Sequence, residues 1–162
     1  MQTSIFLAFV YFWFIRRFPE DTKKISFHSP GIVQLIMYVA LIFISYFTFC
    51  FLLFTFFQAL GITEIPGFGE QEPLLQNLGF GLGTLVVFVI AVIVAPIVEE
   101  YIFRGWGMIC LPVEKHPIFS IVCNGLLFAL LHFQLASILP LVFLGAMVAW
   151  VRYRSGSLLP GI

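Results

Sequence analysis

The feature that most limits how this chain can fold is the Phe-rich stretch from Ile32 to Leu60, which contains no charged residue. A helix of about 20 apolar residues crosses the hydrocarbon core of a bilayer, so this stretch is long enough to cross with tilt. Composition extends the conclusion to the whole chain: 61% of its 162 residues are hydrophobic and only 10% are charged, whereas a soluble domain is about a quarter charged. The sequence therefore predicts an all-α fold, a polytopic transmembrane helical bundle.

Other apolar segments predict further spans at residues 83–111, 118–135 and 137–151. The apolar run at 4–15 is short for a full span and suggests a tilted helix or one trimmed at its N-terminus. Basic residues in the loops at 16–24 and 152–154 lie on one side if the spans alternate, and the acidic loop at 64–72 lies on the other. Loops rich in lysine and arginine stay on the cytoplasmic side. We therefore predict a multi-pass membrane protein. The site around the charged residues at 99–104 would open toward the cytoplasm.

Charge and cysteine usage exclude two classes of function. The formal net charge is zero and no basic tract is present, which argues against a nucleic-acid partner. Cys50, Cys110 and Cys123 lie in apolar segments without the spacing of a metal-binding finger, so we interpret them as small core or lipid-facing residues.

Two glutamates and an arginine end the apolar run that begins at Leu82. A charge inside hydrocarbon persists mainly where it has a partner or a function. Residues four apart share a helix face, so Arg104 should lie over Glu100 and pair with it. Glu99 points about 100° away from Glu100 around the helix and has no such cation. Glu99 is therefore the candidate general base, beside the apolar side chain of Phe103, and Glu100 with Arg104 is its support. The alternative is a buried ion pair that only fixes helix register.

His132 is the histidine that the pattern places inside an apolar helix, on the same face as Phe128. A lone histidine of this kind is more often a hydrogen-bonded core residue than a catalyst. Glu99 and His132, however, lie roughly 18 and 22 Å along their helices from the Pro112 turn at 1.5 Å per residue. Two antiparallel helices would bring them to a similar depth.

Short signals predict local structure as well. Gly79 and Gly83 have the four-residue spacing of close helix packing in membranes. Pro96, inside the third span, predicts a kink. Ser157 is a candidate cap for a further helix with Pro160 in its first turn.

Three motifs in the second half of the chain resemble those of one family. They are Glu-Glu-x-x-x-Arg at 99–104, Phe-x-x-x-His at 128–132 and Arg-Ser-Gly-Ser-Leu-Leu-Pro-Gly-Ile at 154–162. Together they resemble the CAAX-processing and bacteriocin-processing intramembrane proteases, which include type II prenyl-protein proteases and bacterial lysostaphin-resistance proteins. The chain then divides into N-terminal transmembrane helices and loops at 1–78 and a CAAX-protease-like catalytic domain at 79–162.

The resemblance implies roles for four residues. Glu99 would activate the attacking water, Glu100 and Arg104 would support it, and His132 would orient water or stabilise developing charge. It also implies a second histidine, followed four residues later by asparagine or aspartate, after the Ser-Gly-Ser-Leu segment. The sequence ends before that motif, so we expect a C-terminally truncated form, and its activity without the motif is left open.

The resemblance also suggests the surroundings of the reaction. Phe103 and Phe128 would line a pocket for an apolar substrate segment. The expected partners are the lipid bilayer and a membrane-associated substrate, which would be a CAAX-type protein, a peptide or a bacteriocin. The membrane would be a bacterial plasma membrane. The cofactor is left open, because resembling proteins have been described both as metalloproteases and as glutamate-based proteases. A zinc or other divalent ion would have Glu99 and His132 among its ligands.

Two alternatives to a protease remain at the level of sequence. One is a non-catalytic immunity or scaffold protein of the same family, in which these residues form a structural polar network. The other is a transporter or proton-relay protein, since intramembrane glutamate and histidine also mark ion paths. The small number of spans and the lack of a repeated half weigh against the transporter.

Overall fold

The computed structural model describes residues 25–62, 81–134 and 137–162. Several predicted features lie outside these residues: the apolar run at 4–15, the basic loop at 16–24, the acidic loop at 64–72 and Gly79.

Four helices and a short final turn make up the described residues. They are α1 (Ile32–Ala59), α2 (residues 82–110), α3 (Pro117–Leu131), α4 (Ile138–Ser155) and a 3₁₀ turn (Leu159–Gly161). The described residues contain no strand, and α1, α2 and α4 are long and apolar enough to cross a membrane. Only 6% of the most apolar window of α1 and of α2 is buried within the protein, so most of this surface is available to lipid. The predicted all-α transmembrane bundle is confirmed.

The long helix α2 changes its hydrogen-bonding pattern twice along its length. The α-helical segments Leu82–Val89, Ala95–Glu99 and Met108–Cys110 alternate with the π-helical segments Ile90–Val94 and Glu100–Gly107. The first π-helical segment ends just before Pro96, whose nitrogen has no hydrogen to donate, so regular α-helical bonding is interrupted where the sequence predicts a kink. The second includes Glu100 and Arg104, and π-helical turns inside α-helices are frequent at functional sites.

Helices α3 and α4 pack closely through glycine. A Cβ atom added to Gly125 would lie 2.6 Å from the Val142 carbonyl oxygen and 2.8 Å from the Ala146 nitrogen. A Cβ added to Gly145 would lie 2.9 Å from the Cα of Gly125. The prediction of close packing at Gly83 is wrong for the described residues, none of which comes within 4 Å of a Cβ built there. The small residues act instead where two helices cross.

Helix α3 ends earlier than the predicted span to residue 135. Its last residue is Leu131, and His132 is its C-terminal cap instead of lying inside the helix. The His132 N–H bonds to the Ala129 carbonyl three residues back, and the chain then turns through Phe133 with φ of 53°. In a continued helix, the His132 backbone N–H would donate to the Phe128 carbonyl. Here the His132 ring makes a hydrogen bond to that carbonyl instead.

Helix α4 extends past the predicted end at residue 151 and stops at Gly156, which has φ of 69°. Arg152 and Arg154 therefore belong to the last turn of this helix and not to a loop. The Ser157 hydroxyl then accepts a bond from the Leu159 N–H. The N-terminal cap residue of the 3₁₀ turn is Leu158, without a side-chain cap bond, so the predicted cap at Ser157 is wrong by one residue.

The segment at residues 25–30, which has no regular secondary structure, connects the bundle to this C-terminal turn. The Leu158 N–H donates to the Ser26 carbonyl at 3.1 Å, and the Ser157 hydroxyl donates to the His28 carbonyl at 2.5 Å. The Phe27 ring also stacks on Tyr101 of α2. The turn that follows α4 is therefore held against α2, next to the intramembrane charges.

Candidate active site

The ion pair predicted between Glu100 and Arg104 is present and buried. Arg104 Nη1 lies 3.0 Å from Glu100 Oε1, and the two side chains are only 2% and 4% exposed, respectively. Their four-residue spacing keeps them neighbours even though this part of α2 is π-helical. A guanidinium is suited to such a pair because it stays charged and offers several donors in a fixed geometry.

Two neighbouring helices hold the Arg104 guanidinium in place. Its Nη2 donates to the Gly145 carbonyl of α4 at 3.2 Å, and its central carbon lies 4.5 Å from the centre of the Phe128 ring of α3. The approach to Gly145 depends on the close crossing of α3 and α4, because a side chain at that position would collide with Phe128. The Glu100–Arg104 pair is thus fixed by three helices.

Glu99 and His132 form a second, more open pair. Glu99 Oε1 lies 3.9 Å from His132 Nε2, so antiparallel packing brings the two residues together as the depth argument predicts. Their side chains are 27% and 29% exposed, respectively, against 4% or less for Glu100 and Arg104. A separation of 3.9 Å exceeds the usual length of a hydrogen bond, which leaves space for a small group between the two atoms.

The hydrogen bond on the other side of the His132 ring sets its tautomer. Nδ1 lies 2.7 Å from the Phe128 carbonyl oxygen, which can only accept, so Nδ1 carries the hydrogen. In the neutral ring, Nε2 then presents a lone pair toward the Glu99 carboxylate. Two acceptors that face each other require a donor or a cation between them, and a water molecule is the simplest such donor.

A water molecule fits the dimensions of this gap. With hydrogen bonds of about 2.8 Å to both atoms, the angle at the water oxygen would be about 90°. Both hydrogens of the water would then point to acceptors and one oxygen lone pair would face outward. The geometry of the pair is therefore compatible with one water that donates a hydrogen bond to each of the two atoms.

The two aromatic residues assigned to a substrate pocket occupy different positions. Phe128 lines a cavity of about 260 Å³ between α1, α2 and α4, together with Glu99 and Glu100. Phe103 is buried and packs edge-on against Phe128, with ring centres 5.2 Å apart, and it is not part of the cavity wall. A contact of either ring with substrate stays a prediction.

A zinc ion would find too few ligands among the described residues. Catalytic zinc usually has three protein ligands and an open position. Glu99 and His132 supply two, and the parts of the chain that the structure describes contain no group of three His, Cys, Asp or Glu residues able to hold a metal. These residues alone do not fit a zinc site, and no step below uses a metal.

Sequence reasoning missed three groups that complete the surroundings of the site. They are the Gly145 carbonyl, the Asn124 amide and the Cα of Gly161. Asn124 is fully buried in α3 and donates to the Phe103 carbonyl of α2 at 2.6 Å. A lone amide inside an apolar span was the signal that could have found it. Gly161 lies so close to the Glu100 carboxyl that a Cβ would overlap it, and only the three-dimensional fold reveals this contact.

Comparison with known proteins gives one match. A family model described as type II CAAX prenyl endopeptidase Rce1-like matches residues 81–162, just over half of the chain. No curated protein and no solved structure matches the chain. The matched region contains every residue of the two charged pairs.

Proposed function

The chain belongs to the Rce1-like family of type II CAAX prenyl endopeptidases, and on that premise we propose that it is an intramembrane endopeptidase with Glu99 as general base. The observation that carries the proposal is the 3.9 Å gap between Glu99 Oε1 and His132 Nε2. Both atoms accept hydrogen bonds, both side chains are partly accessible, and both lie beside a buried ion pair.

The reaction begins with a water held between Glu99 and His132. Glu99 takes one proton as the water oxygen bonds to the substrate carbonyl carbon, and the carbonyl oxygen becomes negatively charged. His132 accepts a hydrogen bond from the same water through Nε2 and so fixes its orientation. The carbon–nitrogen bond then breaks, and Glu99 passes its proton to the departing amine.

The Glu100–Arg104 pair positions Glu99 and takes no part in the proton transfer. Glu100 is the next residue in the chain, and its carboxylate is held by Arg104, which the Gly145 carbonyl and the Phe128 ring hold in turn. Because Arg104 already pairs with Glu100, the Glu99 carboxylate stays available for proton transfer. Preorganised groups of this kind act without rearrangement during the reaction.

The substrate is a membrane-associated peptide that reaches the site from the bilayer. Most of the walls of the cavity beside Glu99 are apolar, contributed by residues such as Val39, Ile42 and Phe43 of α1. Such walls accept an apolar side chain or part of a lipid chain and exclude bulk water from the reaction. We propose a CAAX-type or related peptide as substrate and an opening of the site toward the cytoplasm.

The test is cleavage of membrane-anchored peptides, in membranes, by the full-length product of the gene, set beside its Glu99→Gln form. The substitution keeps size and shape but removes the base, and general base catalysis contributes about 10²- to 10⁴-fold, so the rate should fall by that order. Glu114→Gln is the matched control, because Glu114 is exposed in the turn after α2 and should leave the rate unchanged. Full cleavage by Glu99→Gln would refute the role of Glu99. Absence of cleavage by the folded parent would favour a non-catalytic immunity or scaffold role.

A further inference from the structure

Arg152 of α4 is a charged residue that has no role in the proposed reaction. It lies in the last turn of α4 and is partly buried, and its Nε atom is fully buried. No described residue makes a hydrogen bond to this Nε. A buried donor without an acceptor is costly, so the position of Arg152 needs a reason.

The face of α4 that carries Arg152 is the face that meets the Glu100–Arg104 pair. Gly145, Val148 and Arg152 follow one another at three- and four-residue spacing and therefore lie on one side of the helix. Gly145 bonds to Arg104, and Val148 lines the cavity beside Glu100. Side chains on a helix tilt toward its N-terminus, so Arg152 is directed back toward the same pair. Arg104 and Arg152 also share the wall of a second cavity, of about 530 Å³.

A count of charges assigns Arg152 a partner. The described residues carry seven formal charges, on Glu99, Glu100, Arg104, Glu114, Lys115, Arg152 and Arg154. Glu114 and Lys115 are exposed neighbours in the turn after α2, and Arg154 is exposed at the end of α4. Two carboxylates and two guanidinium groups remain in the bundle. Arg104 alone would leave this cluster with a net negative charge inside the membrane, which is unfavourable.

Glu100 has the vacant acceptor that Arg152 requires. Only Glu100 Oε1 is bonded by Arg104, whereas Oε2 is buried and has no hydrogen-bond partner among the described residues. No nitrogen of Arg152 lies within 4.0 Å of a Glu100 oxygen, so the attraction between these two charges acts over a longer distance than that of the Glu100–Arg104 ion pair. An unbonded buried acceptor and an unbonded buried donor of opposite charge therefore occur in one cluster.

We propose that Arg152 is the second cation of Glu100 and acts as a positioning residue for Glu99. It balances the charge of the cluster and attracts the Glu100 carboxylate from the α4 side, whereas Arg104 bonds that carboxylate directly along α2. Its effect on cleavage rests on the proposed function, whereas its pairing with Glu100 can be measured without any substrate. Arg152 has no contact with the reacting atoms in this account.

The experiment compares Arg152→Ala, Arg152→Lys and Arg154→Ala in the full chain. Arg154 is the matched control, an arginine two residues further along α4 whose guanidinium lies 6.0 Å from the Trp150 ring centre and away from Glu100. Loss of a residue that supports an active-site group commonly costs about 10- to 100-fold in activity. We expect Arg152→Ala to lower kcat by about 10- to 100-fold and to leave KM within about twofold of the parent. Arg152→Lys should recover most of the lost kcat, and Arg154→Ala should have the kcat of the parent.

The second readout is the melting temperature of the same variants in the Glu100→Gln background. If Arg152 pairs with Glu100, Arg152→Ala should lower Tm by several degrees in the parent and much less once Glu100 is neutral. An equal loss of Tm in both backgrounds would overturn the pairing, as would an Arg152→Ala variant that matches Arg154→Ala in both Tm and kcat.

The two readouts separate failure of this inference from failure of the proposed function. Full cleavage by Glu99→Gln would reject the base, while the Tm comparison would still decide the pairing of Arg152. If Arg152→Ala alone fails to fold, the pairing requires that adding Glu100→Gln restores folded protein. Failure of that double variant to fold, with Glu100→Gln itself folded, would overturn the proposal.

Discussion

Replacing Gly125 by alanine should push α3 away from α4 and disturb the site at the end of α3. The new Cβ would lie 2.6 Å from the Val142 carbonyl oxygen and 2.8 Å from the Ala146 nitrogen. Real Cβ atoms essentially never come closer than 3.0 Å to another heavy atom, and ordinary contacts begin at 3.4 Å, so the shorter contact must lengthen by about 0.4 to 0.8 Å. Both obstructing atoms belong to the backbone of α4, which means that no side chain can turn aside and the helices themselves must separate.

Two opposing energies decide the sign of this effect. Alanine favours a helix over glycine by about 0.5–1 kcal/mol, which would stabilise the variant. Overpacking a closely packed site costs about 1–3 kcal/mol, and a backbone obstacle favours the upper part of that range. The packing cost prevails, and we expect a net loss of about 1–2 kcal/mol. At about 2–4 °C per kcal/mol for a chain of this size, Tm should fall by roughly 2–8 °C.

The same displacement should reach the reaction, because His132 follows α3 directly. A shift of this helix widens the 3.9 Å gap between His132 Nε2 and Glu99 Oε1 and weakens the hold on the water. Gly83→Ala is the control, since no described atom lies within 4 Å of a Cβ built there. The measurements are Tm in detergent and the rate of peptide cleavage in membranes for both variants.

The reasoning would be refuted if Gly125→Ala melted at the same temperature as Gly83→Ala and cleaved peptide at the parental rate. Such a result would mean that α3 and α4 do not cross as closely as the glycine contacts indicate. A lower Tm with an unchanged cleavage rate would retain the packing argument and reject the link from α3 to His132.

Three further predictions concern the groups around the ion pair. Arg104→Leu should lower the unfolding free energy by about 3–5 kcal/mol, because it removes the cation that bonds the buried Glu100 carboxylate directly. Adding Glu100→Leu should recover much of this loss in thermal unfolding, and no recovery would contradict the pairing of Glu100 with Arg104. Asn124→Leu should lower the free energy of unfolding by about 1–3 kcal/mol, because it removes the hydrogen bond to the Phe103 carbonyl. A Tm equal to that of the parent would argue against that bond. Gly161→Ala should reduce the cleavage rate by displacing the Glu100 carboxyl, whereas a parental rate would show that the turn after α4 moves aside freely.

The sequence predicted the parts of the fold that depend on local pattern. Charge-free apolar stretches define α1 and α4, and the four-residue spacing of Glu100 and Arg104 is enough to pair them. Helix rise alone brought Glu99 and His132 to a common depth. These features follow from the geometry of one helix or of two antiparallel helices and need no knowledge of the remaining contacts.

The parts that the sequence did not predict depend on contacts between helices. The early end of α3 at Leu131 involves a ring-to-carbonyl bond from His132, which apolar periodicity does not report. Among the described residues, a Cβ at Gly125 would meet the backbone of α4, whereas a Cβ at Gly83 would meet nothing within 4 Å, and the spacing of small residues does not distinguish these two cases. Arg152 resembled a loop cation that flanks a span, and only the packing of α4 against α2 makes it a candidate partner of Glu100.

The measurement that tests the central claim most directly is a single turnover of an anchored peptide in water enriched in ¹⁸O, with mass analysis of the new carboxylate. If Glu99 deprotonates a water that attacks the peptide carbonyl, the first product carries one ¹⁸O atom and Glu99→Gln yields almost no product. A first product that contains only ¹⁶O would mean that a carboxylate of the protein attacked the substrate. That result would contradict the role of Glu99 and His132 as holders of the reacting water.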